Sequence, residues 1–270
     1  MRVRVKYSKQ GLMKFIGHLD MMRYFQKALR RAGIDVVYTE GLSPHMSMSF
    51  ALPLGVGMTS DSEYVDVDLV RDLPGSEIVR RLNISAPEGI HFTDARRIQT
   101  GKAHKGMTLA ARADYTLRLK RPVRAASCAS GILMEDTWTI SWKQEFLDWL
   151  KQPQILVMKK GKKTEKEIDI RPLIYEAYFT GPDAAQGEES QGGDLHLGLG
   201  AGLDRNIRPE LVMQAFAEQT GRTYDPFLFE INRDEVYADK GNDAAHDFIS
   251  LIDLGEIIAG DNPASGAFGG

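Results

Sequence analysis

Residues 2–7 alternate charged and apolar positions as Arg-Val-Arg-Val-Lys-Tyr, the period of a strand with one apolar and one basic face. Gly11 breaks the run. From about 18 to 32 the period lengthens to that of a helix, with Leu19, Met22, Phe25 and Leu29 as its inward stripe and Gly33 as its stop. Asp35–Thr39 and Met48–Leu52 read as strands flanking the loop Gly41-Leu42-Ser43-Pro44-His45, and Pro53 and Gly55 end the second of them. Glu63–Leu69 alternates again, this time with an acidic face. Ser76–Leu82 reads as a short helix and Ile90–Ile98 as a closing strand. The succession β-α-β-β-β-α-β is met most simply by a ferredoxin-type sandwich with one extra hairpin strand.

Residues 99–112 read as a connector, polar at first and helical later. A second half then begins at Ala113 with an alternating strand. Trp142–Leu150 is helical, and Ile155–Lys159 with Lys166–Ile170 frames a hairpin around KKGKKT. Pro172–Phe179 is strand-like, Gly181–Gly193 is a mobile loop, LHLGLGAG is another strand and Arg208–Gly221 a helix. The expected fold class is therefore α+β. Two ferredoxin-like αβ-sandwich modules stand in tandem, at 1–98 and 113–238, followed by a partly disordered acidic tail at 239–270. Within that tail HDFISLIDLGEII is expected as one short helix.

Charge changes this picture. The net charge is −3, but residues 1–125 carry 21 Lys+Arg against 12 Asp+Glu, a net +9, whereas residues 183–270 carry 5 against 17, a net −12. A basic head points to an anionic partner such as nucleic acid; equally, head and tail can neutralise each other. One cysteine, Cys128, excludes an internal disulfide and any iron–sulfur cluster held by this chain's cysteines alone, and its small-residue surroundings offer it no base. No apolar run is long enough to span a membrane and no signal-peptide core is present, so a cytoplasmic location is expected.

Arg23, Lys27 and Arg30 fall at i, i+4 and i+7, with Arg31 beside them, on the helix face opposite the apolar stripe. With Lys6 and Lys9 of the first strand they form a candidate phosphate-binding set. The lysine-rich hairpin tip, Lys159 to Lys166, is a further candidate contact. His18 opens the helix two residues before Asp20, and His45 follows Pro44 in its loop. Both are candidate acid–base groups, and with Lys9 they would supply the parts of a metal-independent ribonuclease if they converged. No metal or cofactor is expected: no tight ligand cluster exists, and GLGAG at 198–202 is an incomplete nucleotide motif.

YSKQG, FIGHLDMMRYFQKALRRAG and GLSPH…SFALPLG, followed by KEIDIRP and IRPE, resemble the bacterial radical SAM-linked family of conserved hypothetical proteins, over about residues 1–230. The resemblance implies a radical SAM protein as partner, because family members resemble the C-terminal part of certain radical SAM proteins or are encoded beside them. The chain lacks CxxxCxxC and would not carry the SAM cluster itself. The expectation is an accessory partner that binds RNA or presents substrate to a radical SAM enzyme in RNA modification. The alternatives are a metal-independent RNA endonuclease or RNA-modifying enzyme using His18, and a protein adaptor with no RNA contact.

Overall fold

The computed structural model describes residues 1–120, 141–160, 165–181, 193–202, 205–242 and 245–258. The chain is an α+β protein whose contacts divide it into two compact units. One comprises 1–113, 201–204 and 233–270; the other comprises 114–200 and 205–232. Cys128, Lys162, Lys163, most of the Gly181–Gly193 loop and the last ten residues lie outside the described residues.

The first unit begins with β1 (Arg2–Lys9), α1 (His18–Arg31), β2 (Met48–Phe50), β3 (Thr59–Asp68), α2 (Gly75–Ile84), β4 (Ile90–Arg97) and the single turn α3 (Gly106–Leu109). β1 lies between β4 and β3, antiparallel to both, and β2 pairs antiparallel with the other side of β3. Val3, Val5 and Tyr7 point to the side covered by α1 and α2, where they pack with Phe25, Leu29, Ile78 and Phe92. α1 forms where expected. Asp20 in its first turn and Arg30 and Arg31 in its last suit the helix dipole. Gly33, at φ 63°, lets the chain turn back so that the Ile34 amide reaches the Leu29 carbonyl at 3.0 Å.

The inward stripe of α1 is Met21, Phe25, Ala28 and Leu29. Leu19, expected inside, is exposed, and Met22 is half-buried. Asp35–Thr39 is not a strand; it makes only the isolated bridges Val36 to Leu69 and Tyr38 to Met46.

The larger correction concerns the basic face of β1. Register sets Arg2 opposite Asp68 and Arg4 opposite Asp66, so the basic face of one strand lies against the acidic face of its neighbour. Arg4 is fully buried and holds Asp66 through two bonds, Nε to Oδ1 at 2.7 Å and Nη2 to Oδ2 at 3.1 Å. It also donates to the carbonyls of Leu251 and His104, while Asp66 accepts the Gly106 amide at 2.8 Å. A side chain at Gly106 would collide with Ala51 and crowd Arg4, so this close approach requires glycine.

The second unit carries most of β5 (Ala110–Leu119), α4 (Ser141–Trp149), β6 (Leu156–Lys160), β7 (Glu165–Asp169), β8 (Ile174–Phe179), β9 (Leu195–Gly200), α5 (Pro209–Gln219) and the first residues of β10 (Phe229–Asp239). Here β10, β5, β9 and β8 lie in that order, and β6–β7 is a separate hairpin. Trp142, Phe146, Trp149, Phe179 and Phe216 form an aromatic core with edge-to-face contacts between 5.1 and 6.3 Å.

The rest of β10 (233–239) belongs to the first unit, with β11 (Phe248–Ser250) paired to it. HDFISLIDLGEII, expected as a helix, forms β11 and a short 3-10 turn at Leu251–Leu254, with Leu251 and Ile252 buried. β10 and this segment supply counter-charges inside the same unit. Glu235 pairs with Lys6 at 2.8 Å and Asp253 with Arg96 at 2.9 Å. The residues assigned to the first unit hold 19 Lys+Arg against 20 Asp+Glu, a net −1. Within this unit the acidic residues from 233 onward thus offset the basic excess of residues 1–113. Among the described residues no helix is long and apolar enough to cross a membrane.

Candidate functional site

A small cleft opens in the first unit at the start of α1. Four polar residues line it, Tyr7 and Lys9 of β1, His18 of α1 and Glu63 of β3; Met21, Phe50 and the Pro53-Leu54 turn supply its apolar wall. Its interior measures about 10 Å³, enough for one water molecule.

Lys9 is the unusual member. The alternation of β1 carries it to the helix-covered side, where it is 2% exposed. Its ammonium donates to the Ile16 carbonyl at 2.8 Å, one residue before the Gly17 cap of α1. Among the described residues that is its only hydrogen bond, and no carboxylate pairs with it. Glu63, on the same side of the sheet, is committed to Arg233, whose Nε lies 3.0 Å from its Oε1. Arg233 also reaches the Leu52 carbonyl. Both are almost fully buried. Glu63, the one carboxylate lining the cleft, thus hydrogen-bonds Arg233 and not Lys9.

Burial pushes the Lys9 ammonium below its ordinary 10.5; the Glu63 charge opposes this and the Arg233 charge adds to it. A lysine with a depressed native pKa binds its proton less tightly folded than unfolded. Lys9 therefore makes stability rise as pH climbs through the range just below 10.5. Tyr7 and Tyr64, both raised above 10.0 chiefly by burial, act oppositely above that value. Denaturant melts of wild type and Lys9→Met on approaching pH 10 should show the rise in wild type alone.

His18 is half-buried at the mouth. Its ring stands edge-on to Phe50, centroids 5.1 Å apart, and makes no hydrogen bond among the described residues. His45 does not line the cleft. It is exposed and fastens its own loop: Nδ1 lies 3.0 Å from the Thr39 hydroxyl, and its carbonyl accepts the Thr39 amide at 2.8 Å. The cleft therefore brings Lys9 and His18 together with Glu63, and His45 is not among its lining residues.

Of the candidate phosphate contacts, Lys9 is enclosed and Lys6 is tied to Glu235. Arg23, Lys27 and Arg30 do lie exposed on the outer face of α1, with Arg31 next to them. Arg23 pairs loosely with Asp20 at 3.0 Å and Arg30 donates to the Tyr38 hydroxyl at 3.1 Å. Among the described residues no group of three His, Cys, Asp or Glu could hold a metal ion.

Sequence reasoning missed Arg233 and Glu235 because it missed β10. In FEINRDEVYAD the buried positions are 229, 231 and 233, then 236 and 238, so the alternation slips by one and a charged run occupies the slip. A two-phase search for alternation would have found it.

Fold and site together define an α+β protein with an enclosed, charged cleft at one end of a basic helix. The chain belongs to the family described as uncharacterized protein conserved in bacteria (DUF2344), which matches residues 2–209. The match includes Lys9, His18 and Glu63 and ends before Arg233. No curated protein matches the chain.

Proposed function

We propose that this chain is an accessory protein of a radical SAM enzyme and contacts RNA through the outer face of α1. The observation that carries the reading is the sorting of cations. Arg2, Arg4 and Lys6 of β1 pair with carboxylates of the same unit, whereas Arg23, Lys27 and Arg30 stay exposed on one helix face. An exposed i, i+3 pair such as Arg23–Asp20 is worth under about 1 kcal/mol and yields readily to a phosphate. A unit of net charge −1 offers no long-range attraction to a polyanion, so contact must be local. We also read both units as ferredoxin-like. β1-α1-β2-β3-α2-β4 and β5-α4-β8-β9-α5-β10 follow the same succession, each with its first strand between its fourth and third, which supports that reading. The radical SAM partner rests on the sequence resemblance.

The test is a titration of single-stranded RNA at two salt concentrations. Replacing Arg23, Lys27 and Arg30 together by Ala should flatten the log–log salt slope by about 2, at roughly 0.7 per phosphate contact. An unchanged slope would sink the RNA contact. RNA cleavage that survives EDTA and disappears in His18→Ala would replace this reading by an enzymatic one.

An adaptor without RNA contact is favoured by a different observation. Leu12, Phe15, Leu19 and Val56 are each at least 60% exposed. They belong to adjoining segments: the Gly57 amide donates to the Lys14 carbonyl at 2.8 Å. Exposed apolar groups gathered this way mark partner surfaces. Phe15→Asp with Leu19→Asp should abolish capture of the radical SAM partner while leaving the melting temperature within about 2 °C of wild type.

A further inference from the structure

We propose that the cleft at the start of α1 is a carboxylate-binding site, where Lys9 and His18 take the carboxylate of a small organic acid or of an acidic side chain. The inference does not rest on the RNA reading, because Lys9 and His18 line the cleft whereas the cations of that reading, Arg23, Lys27 and Arg30, do not.

Charge is the first argument. Glu63 is the one carboxylate among the residues lining the cleft, and it hydrogen-bonds Arg233 rather than Lys9. A nearly buried ammonium is left with a single backbone carbonyl, although it has three N–H donors. Such a group is costly to enclose unless an anion joins it. Geometry is the second argument. Lys9 is anchored at Ile16, beside the start of a 14-residue helix whose Gly17 cap offers no side chain to the first-turn amides. The positive helix end and the ammonium therefore favour the same sign of ligand. His18 opens that helix with its ring nitrogens unengaged among the described residues and faces the same cleft. Phe50 and Met21 wall the site against water, which strengthens an ion pair formed there.

The experiment is amide and histidine-ring NMR of the full chain titrated with sodium acetate against sodium chloride at equal ionic strength. The parallel arm uses an end-capped peptide carrying one Glu among leucines and serines, beside its Gln counterpart. Saturable shifts confined to Gly17–Met21 and the His18 ring are expected. Affinity should fall at least about tenfold in Lys9→Met and severalfold in His18→Ala, which leaves the buried charges in place. Acetate binding that the peptide does not improve identifies a free acid; stronger binding of the Glu peptide, lost in the Gln peptide, identifies an acidic side chain. No saturable shift, or equal shifts in Lys9→Met, overturns the proposal. So does a short oligonucleotide that competes acetate out through the cleft. The triple α1 variant should bind acetate as wild type does, which separates failure of this site from failure of the RNA reading.

Discussion

Replacing Arg4 by Ala is expected to lower the stability of the folded chain by about 3–5 kcal/mol, the usual cost of breaking one side of a buried ion pair. The structure gives three reasons for so large an effect. Asp66, 1% exposed, would keep its charge with only the Gly106 amide still donating to it. The carbonyls of Leu251 and His104 would both lose the donor they share. And because those carbonyls lie in the C-terminal 3-10 turn and in the connector, the loss would loosen both segments from β1. Asp66→Ala should be comparably harmful, since it strands the guanidinium. By contrast, Arg23→Ala removes an exposed pair and should cost under about 1 kcal/mol. Urea unfolding of the three variants checks the ranking; equal midpoints for Arg4→Ala and Arg23→Ala would show that the strand ladder contributes nothing specific.

Glu63→Gln is the second large effect. It keeps the shape of the side chain but removes the carboxylate that Arg233 holds and whose charge favours the Lys9 ammonium, both cations being 2% exposed. A loss of about 3–5 kcal/mol is expected. Lys9→Met should be neutral or stabilising alone, because it removes a buried cation that no carboxylate pairs with. Combined with Glu63→Gln it should recover more than about 1 kcal/mol of the loss, since the two sites share one electrostatic environment. Strict additivity in this cycle would mean that Lys9 and Glu63 do not sense each other.

Local pattern served well wherever one period held over a whole element. The alternation of β1, the basic outer face of α1 and the glycine that ends it were all legible, because each depends on neighbours within a few residues. Exposure was less legible: Leu19 fits the helical period, yet it stands at the first turn, beyond the edge of the sheet-facing stripe that begins at Met21. The meaning of charge was not legible at all. Arg2, Arg4 and Lys6 look like a surface for polyanions until register sets acidic residues of β3 and β10 against them, and register is a long-range property. His18, His45 and Lys9 are legible as candidates that act together only if they converge; that His18 and Lys9 share a cleft, and that His45 does not join them, follows from packing between elements.

The central claim is that the exposed cations of α1, not Lys6 of β1, are available to a polyanion. The most direct measurement is the salt dependence of single-stranded RNA affinity in Lys27→Gln beside Lys6→Gln. The account predicts a slope reduced by about 0.7 for Lys27→Gln and unchanged for Lys6→Gln. A slope reduced by Lys6→Gln but not by Lys27→Gln would contradict it.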